Sequence, residues 1–187
     1  EKGLGLLSQA LNGMRQTAYG RPREMDWECV LVGPVKQSEG GGGEDFLRQL
    51  QRQLEGLPVR FEPLVYDLGA LSRIYDAGDV LVYPSVAEQG EAMPLAPLEG
   101  MARGLVPVVS DIAAFREYLE PGQNGIVFDH RGAGAAGNLA EALTGLVQDA
   151  SNRTKLSRAA RATAERFSPA VIADKYLQLF EKVVSGT

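Results

Sequence analysis

The chain has 187 residues, 44 % hydrophobic and 23 % charged, which suits one soluble-type domain of generous size with no internal boundary. A net charge of −5 without a basic cluster argues against nucleic acid as the main partner. Nowhere does an apolar run approach the ~18 residues needed to cross a bilayer, and the single cysteine excludes an internal disulfide framework.

Taken in order, short β-branched runs alternate with amphipathic segments. A helix is expected over Leu4–Gln16, then a strand over Glu28–Val32 that carries Cys29 as a small buried hydrophobe. The glycine-rich stretch Ser38–Glu44 has neither a dinucleotide fingerprint nor a Gly-Lys-Ser/Thr phosphate loop, and reads as a flexible surface connection. A helix over Glu44–Leu54, a strand over Val59–Phe61, a helix over Leu68–Asp76 and a strand over Val80–Tyr83 follow. Beyond them come a helix over Pro97–Arg103, a strand over Val106–Ser110, a short turn at Ala113–Leu119 and a strand over Gly125–Phe128. The last third is helical, near Asn138–Asp149, Ser151–Arg166 and Pro169–Val184. Alternating elements with near-continuous apolar strands imply α/β class: a Rossmann-like, doubly wound parallel sheet finished by C-terminal helices. The beginning is abrupt, with Glu1-Lys2-Gly3 running straight into a helix, and reads as a fragment.

Chemistry concentrates between Tyr83 and Gly104, YPSVAEQGEAMPLAPLEGMARG. Ligands of open parallel sheets bind beyond the carboxyl ends of the strands, where this loop lies. Pro97 suits a first helical position, Glu99 then falls in the first turn, and Gly104 ends the helix. The unpaired N–H groups and dipole of a helix start favour an anion such as a diphosphate. Glu91 and Glu99, separated by seven residues, are poor phosphate ligands but good acceptors for a ribose or sugar diol. His130, the only histidine, belongs on a loop and has no partner for a triad; with one cysteine it makes no ordinary zinc site.

The run EAMPLAPLEGMA, Glu91 to Ala102, resembles the Glu-x7-Glu motif of group 1 (family 4 type) retaining glycosyltransferases, seen there as EGFGLPLLEAMA. Asp79–Ser85 is similar to that family's ADVFVLPS, Gly104–Val109 to GxPVV, Asp111–Glu117 to DIGGxxE, Gly122–Asp129 to GxNGxLV and Arg166–Ser168 to RFSW. The resemblance implies a GT-B fold, of which residues 1–187 would be the C-terminal, donor-binding domain, with the acceptor domain absent. It implies a nucleotide-diphosphate sugar as donor substrate, no metal and no other cofactor, and retaining hexosyl-type transfer in the full-length enzyme, with the isolated fragment inactive. Glu99 would bind the ribose hydroxyls and Glu91 the transferred sugar. The segment Ala92, Met93, Pro94 and Leu95 would face the diphosphate, and Lys2 of the Glu-Lys-Gly triplet would supply a cation for it. The family's arginine ahead of that lysine would lie before residue 1. Carbohydrate or glycolipid acceptors would meet the other half, as would the tail helix, in a cytoplasmic enzyme whose attachment to the inner membrane face stays open. Pro94 and Ala92 stand where the family has glycines, Pro94 removing one possible N–H donor to the phosphate, and Ala113-Ala114 replaces a Gly-Gly pair. The loop from Ser85 to Glu91 is longer than usual and holds a further acid, Glu88, without the x7 spacing. A non-catalytic nucleotide-binding module and a nucleotide-sugar epimerase are the other readings.

Overall fold

Val106 to Ser110 form a strand buried along its whole length, and the rest of the domain is arranged around it. The computed structural model describes residues 2–15, 26–89 and 91–185. In chain order they form α1 (Leu4–Met14), β1 (Cys29–Val32), α2 (Glu44–Gln53), β2 (Val59–Glu62), α3 (Leu68–Asp76), β3 (Val80–Tyr83), α4 (Leu95–Ala102), β4 (Val106–Ser110), β5 (Ile126–Phe128), α5 (Ala135–Gln148), α6 (Ala150–Glu165) and α7 (Pro169–Ser185). The far end of the first expected helix, Gln16, lies outside the described residues.

Every described ladder is parallel, in the order β1-β2 and, separately, β3-β4-β5. Side chains alternate across a strand, so β4 feeds two cores. Val106 and Val108 pack with Leu7, Leu11, Met14, Leu139 and Leu143 of α1 and α5. Val109, on the other face, joins Leu98, Met101, Phe115, Tyr118 and Ala160 under α4 and α6. Both faces are therefore covered, which is why β4 reads as an unbroken apolar run. Leu31 and Phe61 of β1 and β2, with Val80 and Val82 of β3, line the first core from its partly buried margin. The expected Rossmann-like architecture is what forms, with two separate ladders among the described strands.

Local chemistry sets the element ends. Asp67 caps α3, its carboxylate accepting from Ala70 N–H at 2.7 Å, and Asp149 caps α6 through Asn152 N–H. Helix α4 ends in a paired closure, Leu105 N–H to Gly100 C=O and Gly104 N–H to Met101 C=O, both 2.9 Å, which needs Gly104 at φ +87°. The short turn expected at Ala113–Leu119 forms as a 3-10 turn over Ala113–Phe115. Asn124 of the GxNGxLV-like segment is buried, bonded to Tyr118 C=O, Thr163 Oγ1 and Glu120 N–H, so it ties the α6 side to the loop after β4. The glycine-rich connection, expected to be flexible, has a defined shape: a 3-10 turn at Gln37–Glu39, then bonds from Gly41 and Gly43 N–H back to Lys36 and Val35 carbonyls. Cys29 packs at the core margin, where burial pushes its thiol up to about 11, so it is protonated at neutral pH. Helix α7 buries none of its residues and exposes Tyr176, Leu177, Leu179, Phe180, Val183 and Val184.

Gly3 has a positional duty. It precedes α1 at φ +69°, and a Cβ there would stand 1.8 Å from Pro84 carbonyl oxygen. The start of α1 thus presses against the loop that leaves β3. Gly3→Ala is expected to cost about 1–3 kcal/mol in backbone strain alone and to lower the melting temperature by several degrees in a thermal unfolding scan. An unchanged melting temperature would show that α1 does not seat on Pro84.

Candidate functional site

The site is assembled where β3 ends, from residues far apart in the chain. Because Gly3 is wedged on Pro84, Lys2 projects over the end of β3. Its ammonium meets Glu91 Oε1 at 2.6 Å, across 89 residues of sequence, and donates to Tyr83 hydroxyl at 2.7 Å. It also stands 5.1 Å from the Tyr83 ring centroid, within cation–π range. Ser85 Oγ donates to Glu91 Oε1 at 3.0 Å, and Tyr83 hydroxyl reaches the same carboxylate at 3.1 Å. Glu91 is 10 % exposed and Lys2 60 %, so the carboxylate is held in the wall while the ammonium faces outward.

Burial alone would raise the Glu91 carboxyl, but the bonds from Lys2, Ser85 and Tyr83 outweigh it and hold it below the usual carboxylate range. Burial alone would lower the Lys2 ammonium, and its bonds to Glu91 and Tyr83 outweigh that too, leaving it raised. Both groups are therefore charged throughout the range between their ordinary values.

Tyr83 also opens an edge-on aromatic series into the second core: Tyr83 to Phe115 at 5.7 Å, Phe115 to Tyr118 at 6.3 Å, Tyr118 to Phe167 at 6.0 Å. Tyr118 hydroxyl, buried, donates to Pro94 C=O at 3.2 Å and so fixes the residue that precedes α4.

Helix α4 begins two residues before the expected Pro97. Pro94 is its cap, and Leu95 its first residue. Pro97 is tolerated at the third position because its missing N–H would have had no partner within the helix. This moves Glu99 out of the first turn, where a helix starting at Pro97 would have set it. A preference of acids for helix starts therefore does not account for Glu99. Its carboxylate is exposed and accepts from Tyr75 hydroxyl of α3 at 2.9 Å, a bond that, after burial, keeps the Tyr75 phenol from ionising. Ala92 and Leu95 are exposed, Met93 is half-buried and Pro94 buried. The N–H groups that α4 can offer an anion are those of Leu95 and Ala96, with Met93 ahead of them, since Pro94 has none. Gly100 lies on β3, where a Cβ would come within 3.2 Å of Leu81, so the helix start is carried close to the strand end.

Of the residues singled out in the sequence, Lys2 and Glu91 are in contact, and Glu99 stands on the adjoining helix with a different partner. Among the described residues no group of three or more His, Cys, Asp or Glu comes together as a metal-ion set. No described helix is long and apolar enough to cross a membrane.

The profile described as Glycosyl transferases group 1 matches residues 1–149. The chain belongs to the group 1 glycosyltransferases. A phosphatidyl-myo-inositol mannosyltransferase of Mycobacterium leprae is 29 % identical over 187 residues, 99 % of this chain and 44 % of that protein. The counterpart in Mycolicibacterium smegmatis is 31 % identical over 184 residues, 96 % and 44 % of the two chains. Among solved structures, sucrose-phosphate synthase from Thermosynechococcus elongatus superposes with TM-score 0.78 at 23 % identity, covering 100 % of this chain and 43 % of that one, which shows the fold. The chain therefore spans less than half the length of the curated relatives it matches. This group 1 domain has the Rossmann-like fold of one half of a GT-B enzyme.

In this glycosyltransferase domain Tyr83, Ser85 and Tyr75, none of them a candidate from the sequence, hold the two acids. Tyr83 and Ser85 lie in the quoted strand-end segment itself; Tyr75 carries no local signal. His130 does lie on the loop after β5, but its ring is buried beside Glu88.

In a side-chain NMR titration the Glu91 carboxyl is expected to titrate below the usual carboxylate range, and the Lys2 ammonium above the usual lysine range. The depressed Glu91 contributes stability present above its unfolded value and lost as pH falls through the folded one. The raised Lys2 contributes stability present below its unfolded value and lost as pH rises through the folded one. Glu91→Gln should move the Lys2 midpoint down; an unmoved midpoint would mean that the pair does not persist in solution.

Proposed function

We propose that this domain is the donor half of a retaining glycosyltransferase, binding a nucleoside-diphosphate sugar beyond the carboxyl ends of β3 and β4. The observation that carries the reading is the convergence of Lys2, Glu91 and the start of α4 at one strand end, with Glu99 on the same helix. Anabaena HepE, solved in complex with UDP-glucose, shares the fold at TM-score 0.74 and 21 % identity, which supports a nucleotide sugar as ligand here. The Mycobacterium leprae relative, a phosphatidyl-myo-inositol mannosyltransferase, supports a hexose as the sugar and a glycolipid as the acceptor.

In this reading Glu99 accepts hydrogen bonds from the ribose diol, for which its exposed carboxylate needs only to share or release Tyr75. The diphosphate lies against the N–H groups of Met93, Leu95 and Ala96 and draws the Lys2 ammonium toward itself. Glu91, held by Tyr83 and Ser85, keeps its place and takes sugar hydroxyls as Lys2 turns away. As the glycosidic bond breaks, its electrons pass to the leaving phosphate oxygen, and Lys2 with the helix N–H groups stabilises the charge that collects there. No metal ion is assigned a part, so transfer should persist in a chelator. The acceptor hydroxyl comes from the other half of the longer enzyme, against which the apolar face of α7 packs, and this domain alone transfers nothing.

Ligand-observed NMR of the chain against uridine, guanosine and adenosine diphosphates tests the reading. One nucleotide should bind selectively, and Glu99→Ala should cost about 1.5–3 kcal/mol, roughly ten- to a hundredfold in affinity. Equal binding by the variant would remove Glu99 from the ribose site. Absence of binding by the full-length protein would end the donor reading.

A further inference from the structure

Glu88, the acid in the loop without the motif spacing, is not left over. We infer that Arg131 is a positioning residue for the donor site, acting through Glu88 to hold the loop that delivers Glu91; this rests on the donor reading above.

Arg131 follows β5, Asp111 follows β4 and Glu88 lies in the loop that follows β3, so three strand ends meet on one guanidinium. Arg131 Nε and Nη2 donate to the two oxygens of Glu88 at 2.8 and 3.1 Å, a bidentate pairing. Its Nη2 also donates to Asp111 C=O at 2.8 Å, and Nη1 faces Asp111 Oδ2 at 3.3 Å. The backbone under Arg131 is itself fixed, its N–H donating to Asp129 Oδ1 at 3.0 Å. His130, with a side chain only 4 % exposed, lies beside Glu88 with Nε2 3.1 Å from Oε1 but outside hydrogen-bond geometry. Contacts to a main-chain carbonyl and to both oxygens of one carboxylate need the planar fork of arginine; a lysine offers one point of charge.

The loop after β3 is thus tied twice. Near its base Ser85 and Tyr83 hold Glu91, and along its course Arg131 holds Glu88. Val86, between Ser85 and Glu88, is exposed, so packing gives this stretch little support. Arg131 is 47 % exposed, and ion pairs in such settings add little to folding stability. Its effect therefore falls on the position of the loop and not on the fold.

The test is a double-mutant cycle of Arg131→Gln and Glu88→Gln in the 187-residue chain, read by nucleoside-diphosphate affinity and by amide hydrogen exchange without ligand. Each single change should weaken affinity about three- to tenfold, and the double change no more than either one, because both break the same tie. Arg131→Lys should recover only part of the loss. In the free protein Arg131→Gln should speed exchange of the Ala87 amide, which donates to Ser85 Oγ, about tenfold while α5 and α6 stay protected. Additive losses would mean that Arg131 touches the nucleotide itself, and recovery in the double variant would mean that it only neutralises Glu88; either overturns the inference. Unchanged exchange overturns it as well. If the unaltered chain binds no nucleotide, the donor reading fails separately, and the exchange measurement still decides whether Arg131 holds the loop.

Discussion

Two residues separated by 89 positions, Lys2 and Glu91, meet at 2.6 Å at the end of β3, and the geometry of the site depends on that contact. The pair contributes little to folding, because the ammonium is largely exposed and screened by water. Its importance is positional. Gly3, in a left-handed conformation open to few other residues, lets α1 begin hard against Pro84, and so the lysine is carried over the end of β3. Tyr83 and Ser85 then hold the carboxylate in a fixed orientation whether or not the lysine stays. A carboxylate with three donors can lose one to an arriving anion and remain ionised.

The site inherits its rigidity from the sheet. Strand β4 is packed on both faces, α4 rests on β3 through Gly100, and the aromatic series from Tyr83 to Phe167 couples the strand end to the turn after α6. Tyr118 anchors Pro94 from within the same core. The helix start that offers N–H groups to an anion is therefore fixed before any ligand arrives, which removes much of the ordering cost of binding. Where packing gives out, in the loop after β3, charged side chains take over.

Much of the fold was legible in the sequence. The strands at Val80–Tyr83 and Val106–Ser110 form with the bounds expected, because apolar β-branched runs between turn residues leave little choice. Helix Leu68–Asp76 also falls as expected, with Asp67 as its cap. The start of α4 was misplaced by two residues, since proline is tolerated at several positions of a first turn and Pro97 alone does not say which. That error carried Glu99 into the wrong turn. The separation of the strands into two ladders has no signature in residue type. In the site, Glu91 and Glu99 stood out by spacing and resemblance, but no pattern along the chain could pair Lys2 with Glu91 or Arg131 with Glu88. Those contacts are products of strand order, which brings loops together at one end of the sheet. A weak signal existed: Arg131 and Asp111 each lie just past a strand end, where ligand sites of such sheets are built.

In the proposed donor complex an arriving diphosphate takes Lys2 from Glu91 while Glu99 takes the ribose. A crystal structure of the chain with the nucleoside diphosphate it binds is the most direct measurement. The expected result is the Lys2 ammonium within hydrogen-bonding distance of a phosphate oxygen, the ribose hydroxyls on Glu99, and Glu91 still bonded to Tyr83 and Ser85. A nucleotide bound away from α4, or one seated there with Lys2 still on Glu91, would contradict it.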